Sequence, residues 1–212
     1  MSRFKLNFMR TATLVGLVCA SLHIAAAEDD SKPIQAVWKP VEVRYSYVGF
    51  TTAYNCDAYE TKLKEILRKI GAAPQTQVRA TGCVGINRPS KNFFVTVTTA
   101  TPVAAGEATS QLSPAEQELV ERLGGDKTLS KDPFPATWKT VELSRDRKLD
   151  LEPGDCELMQ GLQDKVLPKL SVKVLSNRIQ CTPRHLDIAT PELKVAALTP
   201  LTDPDKATAA RD

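Results

Sequence analysis

Histidine is almost missing from this chain. Only His23 and His185 occur among its 212 residues, and that scarcity removes most metal sites and most acid-base relays, because both lean on imidazole. A Ser-His-Asp or Cys-His arrangement would have to use His185, which sits in CTPRHLD with no serine-elbow pattern elsewhere. An exposed loop histidine is the expectation there. The chain also has no C-x-x-C pair, no phosphate loop and no dinucleotide fingerprint, and GCVG and LGG are turn glycines. Glu116, Glu118 and Glu121 lie close together, but their place on a short linking helix suits a solvated face better than paired-carboxylate chemistry. No enzyme, cofactor or metal is expected.

Excess charge is lacking too, once the first residues are set apart. The chain opens MSRFKLNFMR and runs on through TATLVGLVCASLHIAAA before turning acidic at Glu28. A basic start, a short apolar stretch and an A-x-A ending predict a secretory signal peptide over residues 1–27, cleaved between Ala27 and Glu28. Lipid attachment at Cys19 is disfavoured by the bulk of Val18 before it. Of the 28 basic residues, Arg3, Lys5 and Arg10 leave with that segment, so 25 bases face 25 acids. A formally neutral protein has no overall pull on nucleic acid or an anionic surface, and nucleic acid is set aside as a partner. No later apolar run approaches the ~18 residues a membrane helix needs, so the expectation is a periplasmic or secreted protein without a membrane span.

What the chain does contain is a phrase written twice. VWKPVEV begins at Val37 and TWKTVEL at Thr137. With an offset of one hundred, Trp38, Lys39, Val41 and Glu42 fall on Trp138, Lys139, Val141 and Glu142, and Cys56 falls on Cys156. The second cysteines, Cys83 and Cys181, each precede a Thr-Pro pair by the same interval, ending at Pro102 and Pro200. Matches that hold their spacing over such a length predict an internal duplication.

Each copy has the pattern strand, helix, strand, strand. In VEVRYSY the residues Val41, Val43, Tyr45 and Tyr47 alternate toward one face, and Tyr59, Leu63, Ile66, Leu67 and Ile70 share one helical face between an Asn55 cap and Gly71. TQVRATGCV and NFFVTVTTA close the first copy. The second repeats the plan as TVELSR, a helix capped by Asp155 and running to about Leu167, VKVLSNRIQC and ELKVAAL. The expected fold is therefore α+β: two tandem β-α-β-β modules, each a small antiparallel or mixed sheet with one helix on a face. The expected segments are an N-terminal stretch 28–37, module 38–103, linker 104–137 with a helix over 114–123 opened by Ser113, Pro114 and Glu116, module 138–200, and a disordered tail 201–212.

Four cysteines follow the leading segment, and in an exported protein they are most simply disulfides. Three connectivities are possible. Duplication favours Cys56 with Cys83 and Cys156 with Cys181, since an ancestral single unit had to close its own bridge.

Aromatic residues make up only 6% of the chain, and all four tyrosines fall in the first copy. Tyr45, Tyr47, Tyr54 and Tyr59 crowd with Phe50 into YSYVGFTTAYNCDAY, where the second copy has Arg145, Arg147, Gly154, Met159 and Asp150. Tyr45, Tyr47 and Tyr59 share faces with core residues. Phe50 and Tyr54, between strand and helix, are the candidates for a binding surface that stacks on sugars or grips an acidic partner.

The stretch YVGFTTAYNCDAYETKLKEILRKIGA, a second cysteine, and the later WK-V-L, DCELM and VLPKL segments resemble a group of exported proteobacterial proteins with two paired-cysteine repeats, to which no activity is attached. Through Val48, Gly49 and Phe50 the chain is more distantly similar to SPOR domains, which bind peptidoglycan. The first resemblance implies export and the paired-cysteine plan, and the second implies binding to cell-wall glycan. The expected role is a non-enzymatic binding or envelope-assembly component whose partner is an envelope protein or, as the alternative, a cell-wall glycan, with a small hydrolase as the last reading.

Overall fold

The alternation around Val41 to Tyr47 does build a strand, but one that starts earlier and runs further than the repeated phrase. In the computed structural model, which describes residues 32–85, 88–106, 113–123, 132–185 and 189–201, β1 spans Ile34–Val48 and takes in the end of the stretch expected to precede the first module. The signal peptide, Cys19, the Ala27–Glu28 junction and the tail beyond Leu201 lie outside the described residues. The elements that follow are α1 (Cys56–Lys69), β2 (Gln77–Thr81), β3 (Asn92–Ala104), α2 (Pro114–Arg122), β4 (Phe134–Glu142), α3 (Cys156–Gly161), β5 (Val172–Arg178) and β6 (Glu192–Pro200).

The protein is α+β, and its strands form one antiparallel six-stranded sheet in the order β2-β3-β1-β4-β6-β5. Two separate sheets, the sequence expectation, are not what forms. The seam is short: Ile34, Gln35 and Ala36 of β1 pair with Ala136, Pro135 and Phe134 of β4. Those residues precede the repeated phrase in each half, where no alternation marks a strand. On either side of the seam the strands run in mirrored order, β1-β3-β2 one way and β4-β6-β5 the other.

The largest of three apolar clusters runs across both halves of the sheet. Tyr59, Leu63, Ile66, Leu67 and Ile70 of α1 pack with Val43, Tyr47, Val95 and Val97, and the same apolar cluster continues through Leu143, Leu158, Met159, Leu162, Val166 and Val195. Gly71, after α1, lies directly against the other half. Its φ is +87°, and a Cβ there would stand 2.5 Å from the carbonyl oxygen of Leu198 in β6, so only glycine fits the turn and the approach.

The second half departs from the first where its strand and helix are interrupted. Past Glu142 the chain makes a single 3-10 turn, Leu143–Arg145, instead of continuing TVELSR as a strand, and this sinks Leu143 into the core. After α3 the backbone widens into a π-helical turn over Leu162–Val166 and tightens over Leu167–Lys169. Pro168 accounts for the change, since it has no N–H to offer and its ring crowds the preceding turn.

The helix of the linker forms as its capping signature predicts. Ser113 Oγ accepts the Glu116 N–H at 3.3 Å and Ser113 N–H donates to Glu116 Oε2 at 2.8 Å. It lies on the sheet face opposite α1, with Leu123 packed against Trp38, Ala73 and Ala100 and Arg122 paired to Glu42 at 2.7 Å. Trp38 also meets Phe134 at the seam, and Trp138 lies under Lys173.

Both bridges join the partners that duplication favours, Cys56 with Cys83 and Cys156 with Cys181. Two disulfides fit an oxidising compartment. Among the described residues no helix is long and apolar enough to cross a membrane.

Candidate functional site

Two regions concentrate chemistry. The first is the junction between the halves, where the chain leaving β1 through Gly49 and Phe50 turns back toward α1. Glu157, on the first turn of α3, reaches across and accepts the N–H of Thr51 at 2.7 Å and of Thr52 at 3.0 Å, one on each carboxylate oxygen. Tyr47 donates its hydroxyl to the Thr52 carbonyl at 3.0 Å. Asp155 takes a hydroxyl from Tyr54, the Lys62 ammonium at 2.8 and 3.0 Å, and the Glu152 N–H at 2.7 Å. Lys62 also reaches the Asp150 carbonyl at 3.1 Å. Asp155 is 3% and Glu157 8% exposed, so these charges persist only because every one is met by a donor or an opposite charge.

This changes the role expected for Asp155. Its side chain does not cap α3, and it bonds across to α1 and to Tyr54. Asn55, its counterpart by sequence offset, has the extended backbone of an N-cap, but its side chain makes no capping bond either.

Beside the junction lies a small, partly open cleft lined by Thr51, Thr52, Pro153, Cys156, Glu157, Cys181 and His185, with about 10 Å³ of space. That is room for one water. His185 is exposed as expected, and it is its carbonyl that Thr51 Oγ1 bonds, at 3.3 Å. Among the described residues no group of His, Cys, Asp and Glu side chains could hold a metal ion.

The tyrosines form a second layer beneath this junction. Tyr47 stacks on Phe93 at 4.7 Å, while Tyr54 and Phe93 meet Tyr59 edge-on at 5.4 and 5.0 Å. Tyr45 and Tyr59 share a hydroxyl hydrogen bond of 2.8 Å. Burial pushes the Tyr45 phenol up to about 12, against the Tyr59 bond, which pulls it down. Burial first, and then nearby carboxylates, raises Tyr47 and Tyr54 further; burial and the neighbouring phenols raise Tyr59. A raised folded-state value keeps the phenol neutral while the unfolded chain would ionise near pH ~10. The stability this contributes is therefore complete below pH ~10 and is lost as pH climbs from there through the folded values. An ultraviolet titration should show no tyrosinate until the far-ultraviolet circular dichroism collapses with it. A tyrosine ionising near pH ~10 in folded protein would contradict the packing.

The second region is the open end of the first half. Strand alternation turns Phe93, Val95 and Val97 inward and Phe94 outward, where it is 67% exposed. Register sets Phe94 beside Ser46 and Thr81, with Arg44, Thr96 and Arg79 in the next row and Val48 near the end of β1. Val84 and Phe50, in the loops after β2 and β1, are exposed at the same end, with Arg88 and Lys91 close by in sequence. Lys91 Nζ bonds the Phe50 carbonyl at 3.3 Å, which places that ammonium at the loop.

Of the two surface residues expected from sequence, Phe50 is 57% exposed while Tyr54 is half-buried, paired to Ser90 through main chain and to Asp155 through its hydroxyl. Both lie against the chain leading into β3, Phe50 through Lys91 and Tyr54 through Ser90. Phe94 and Val48, which accompany Phe50 in the open, follow from the strand period once Phe93 is assigned to the core. The chain matches no known protein family, no curated protein and no solved structure.

Proposed function

We propose that this protein is an exported, non-enzymatic binding or assembly component of the cell envelope, made of two copies of one β-α-β-β unit. It holds its partner on the aromatic and basic end of the first half. The observation that carries this reading is the gathering of Val48, Phe50, Val84 and Phe94 in the open beside Arg44, Arg79 and Lys91. Exposed apolar groups rimmed by charge mark interaction surfaces. A non-catalytic role is supported by the buried carboxylates, since both oxygens of Glu157 already hold main-chain amides. Duplication is supported by the similar cysteine separations, 27 and 25 residues, and the mirrored strand order about the seam.

A photo-crosslinking residue placed at position 50 or 94 in living cells tests the reading. Both positions should capture the same envelope partner, and Arg79→Glu should abolish the capture. Labelling that is identical from an exposed position on the opposite edge would sink the assignment. Phenylalanine rings beside arginine also suit stacking on sugars, so cell-wall glycan is the second reading. Co-sedimentation with purified sacculi that is lost in Phe50→Ala and Phe94→Ala would favour it.

A further inference from the structure

Phe50 is held in place from both halves of the protein. It stands in a tight bend, since a Cβ at Gly49 would collide with the Thr52 carbonyl oxygen. From the first half, the Lys91 carbonyl accepts the Gly49 N–H at 2.6 Å, and Lys91 Nζ donates to the Phe50 carbonyl at 3.3 Å. From the second half, Glu157 accepts the Thr51 and Thr52 amides at 2.7 and 3.0 Å, and the His185 carbonyl accepts Thr51 Oγ1. The ring between these holds is 57% exposed. Main chain on either side, more than packing of the ring, sets where it stands.

The hold from the second half runs one way. Asp57 and Glu157 occupy the same place in the two copies, each directly after the first cysteine. Asp57 is exposed, whereas Glu157 is buried against the loop of the other half. Two consecutive amides on the two oxygens of one carboxylate fix the chain between them in direction as well as in place. The second half meanwhile carries Arg145, Arg147 and Gly154 where the first carries Tyr45, Tyr47 and Tyr54. Its contribution to the binding end is placement.

We infer that Glu157 is the positioning residue of the binding end proposed above, on which the inference rests: from the second half it presents Phe50 of the first half to the partner, without touching the partner itself. A loop already fixed in its bound place spares the complex the entropy of ordering it, so release of the loop weakens binding even though every contacting side chain remains. A photo-crosslinker at Thr81, exposed and paired with Phe94 in register, leaves both phenylalanines in place to test this. In living cells, capture per molecule of oxidised protein should fall about tenfold in Phe50→Ala, through loss of an aromatic anchor. It should fall about fivefold or more in Glu157→Ala and less in Glu157→Gln, which keeps one acceptor oxygen. The double variant Phe50→Ala with Glu157→Ala should capture as much as Phe50→Ala alone, because a residue that acts through Phe50 then has nothing left to place. A residue that only stabilises the fold would lower capture by the same factor in both backgrounds. That result would overturn the inference, as would full capture in Glu157→Ala beside a loss in Phe50→Ala. No capture in the unaltered protein, or capture indifferent to Phe50→Ala, would overturn the binding end itself and the positioning role with it.

Discussion

Replacing Cys56 and Cys83 together by alanine is expected to lower the stability of the folded protein by about 3.5 kcal/mol, and replacing Cys156 and Cys181 by at least as much. The bridges close segments of 27 and 25 residues, and freeing the ends of such loops returns that much chain entropy to the unfolded state. The two losses differ in what else they release. Cys56–Cys83 ties the start of α1 to the loop carrying Val84, whereas Cys156–Cys181 ties the turn that carries Glu157 to the strand of chain leading to His185. Loss of the second bridge therefore also loosens the clamp on Thr51 and Thr52, and its cost should exceed the entropic figure. Removing both takes away about 7 kcal/mol, which is most of what a small domain has. Urea denaturation of each double variant measures this. A loss under about 1 kcal/mol in either would mean that the unfolded chain keeps the loop closed by other contacts.

The bridges were legible in the sequence because each half carries two cysteines at corresponding positions, which favours the pairing that closes each half on itself. The inward residues of β1, α1 and β3 were legible for a related reason: periods of 2 and 3.6 record burial directly. The fusion of the two halves into one sheet was not. It rests on three residue pairs, and Gln35 and Pro135, one of those pairs, carry no strand signal of their own. The junction was hidden by an ambiguity of chemistry, because an aspartate just before a helix has the sequence of a cap whether it bonds its own backbone or a lysine some ninety residues away. The half-burial of Tyr54 was hidden with it. A tyrosine in a loop looks available until its hydroxyl acquires a buried carboxylate, and that carboxylate belongs to the other half.

The same junction yields the second large effect. Glu157→Ala is expected to cost about 3 kcal/mol: two charge-assisted hydrogen bonds are lost, each worth roughly 1.5–3 kcal/mol, offset in part by the single water that the adjoining cleft can admit to one freed amide. Glu157→Gln keeps one acceptor oxygen and should lose about half as much. Asp155→Ala leaves Lys62 without its carboxylate and Tyr54 without its acceptor. Breaking a buried pair costs roughly 3–5 kcal/mol, but the Lys62 side chain is 25% exposed and water can reach it, which lowers the expectation to about 2–3 kcal/mol. Both carboxylates act on the same stretch from Thr51 to Tyr54, so the double variant should lose less than the sum of the two. Once one hold is gone, that stretch has already moved and the other restrains less. Additive losses would mean that Asp155 and Glu157 secure separate segments, and that α1, rather than the chain leaving β1, is what Asp155 holds in place.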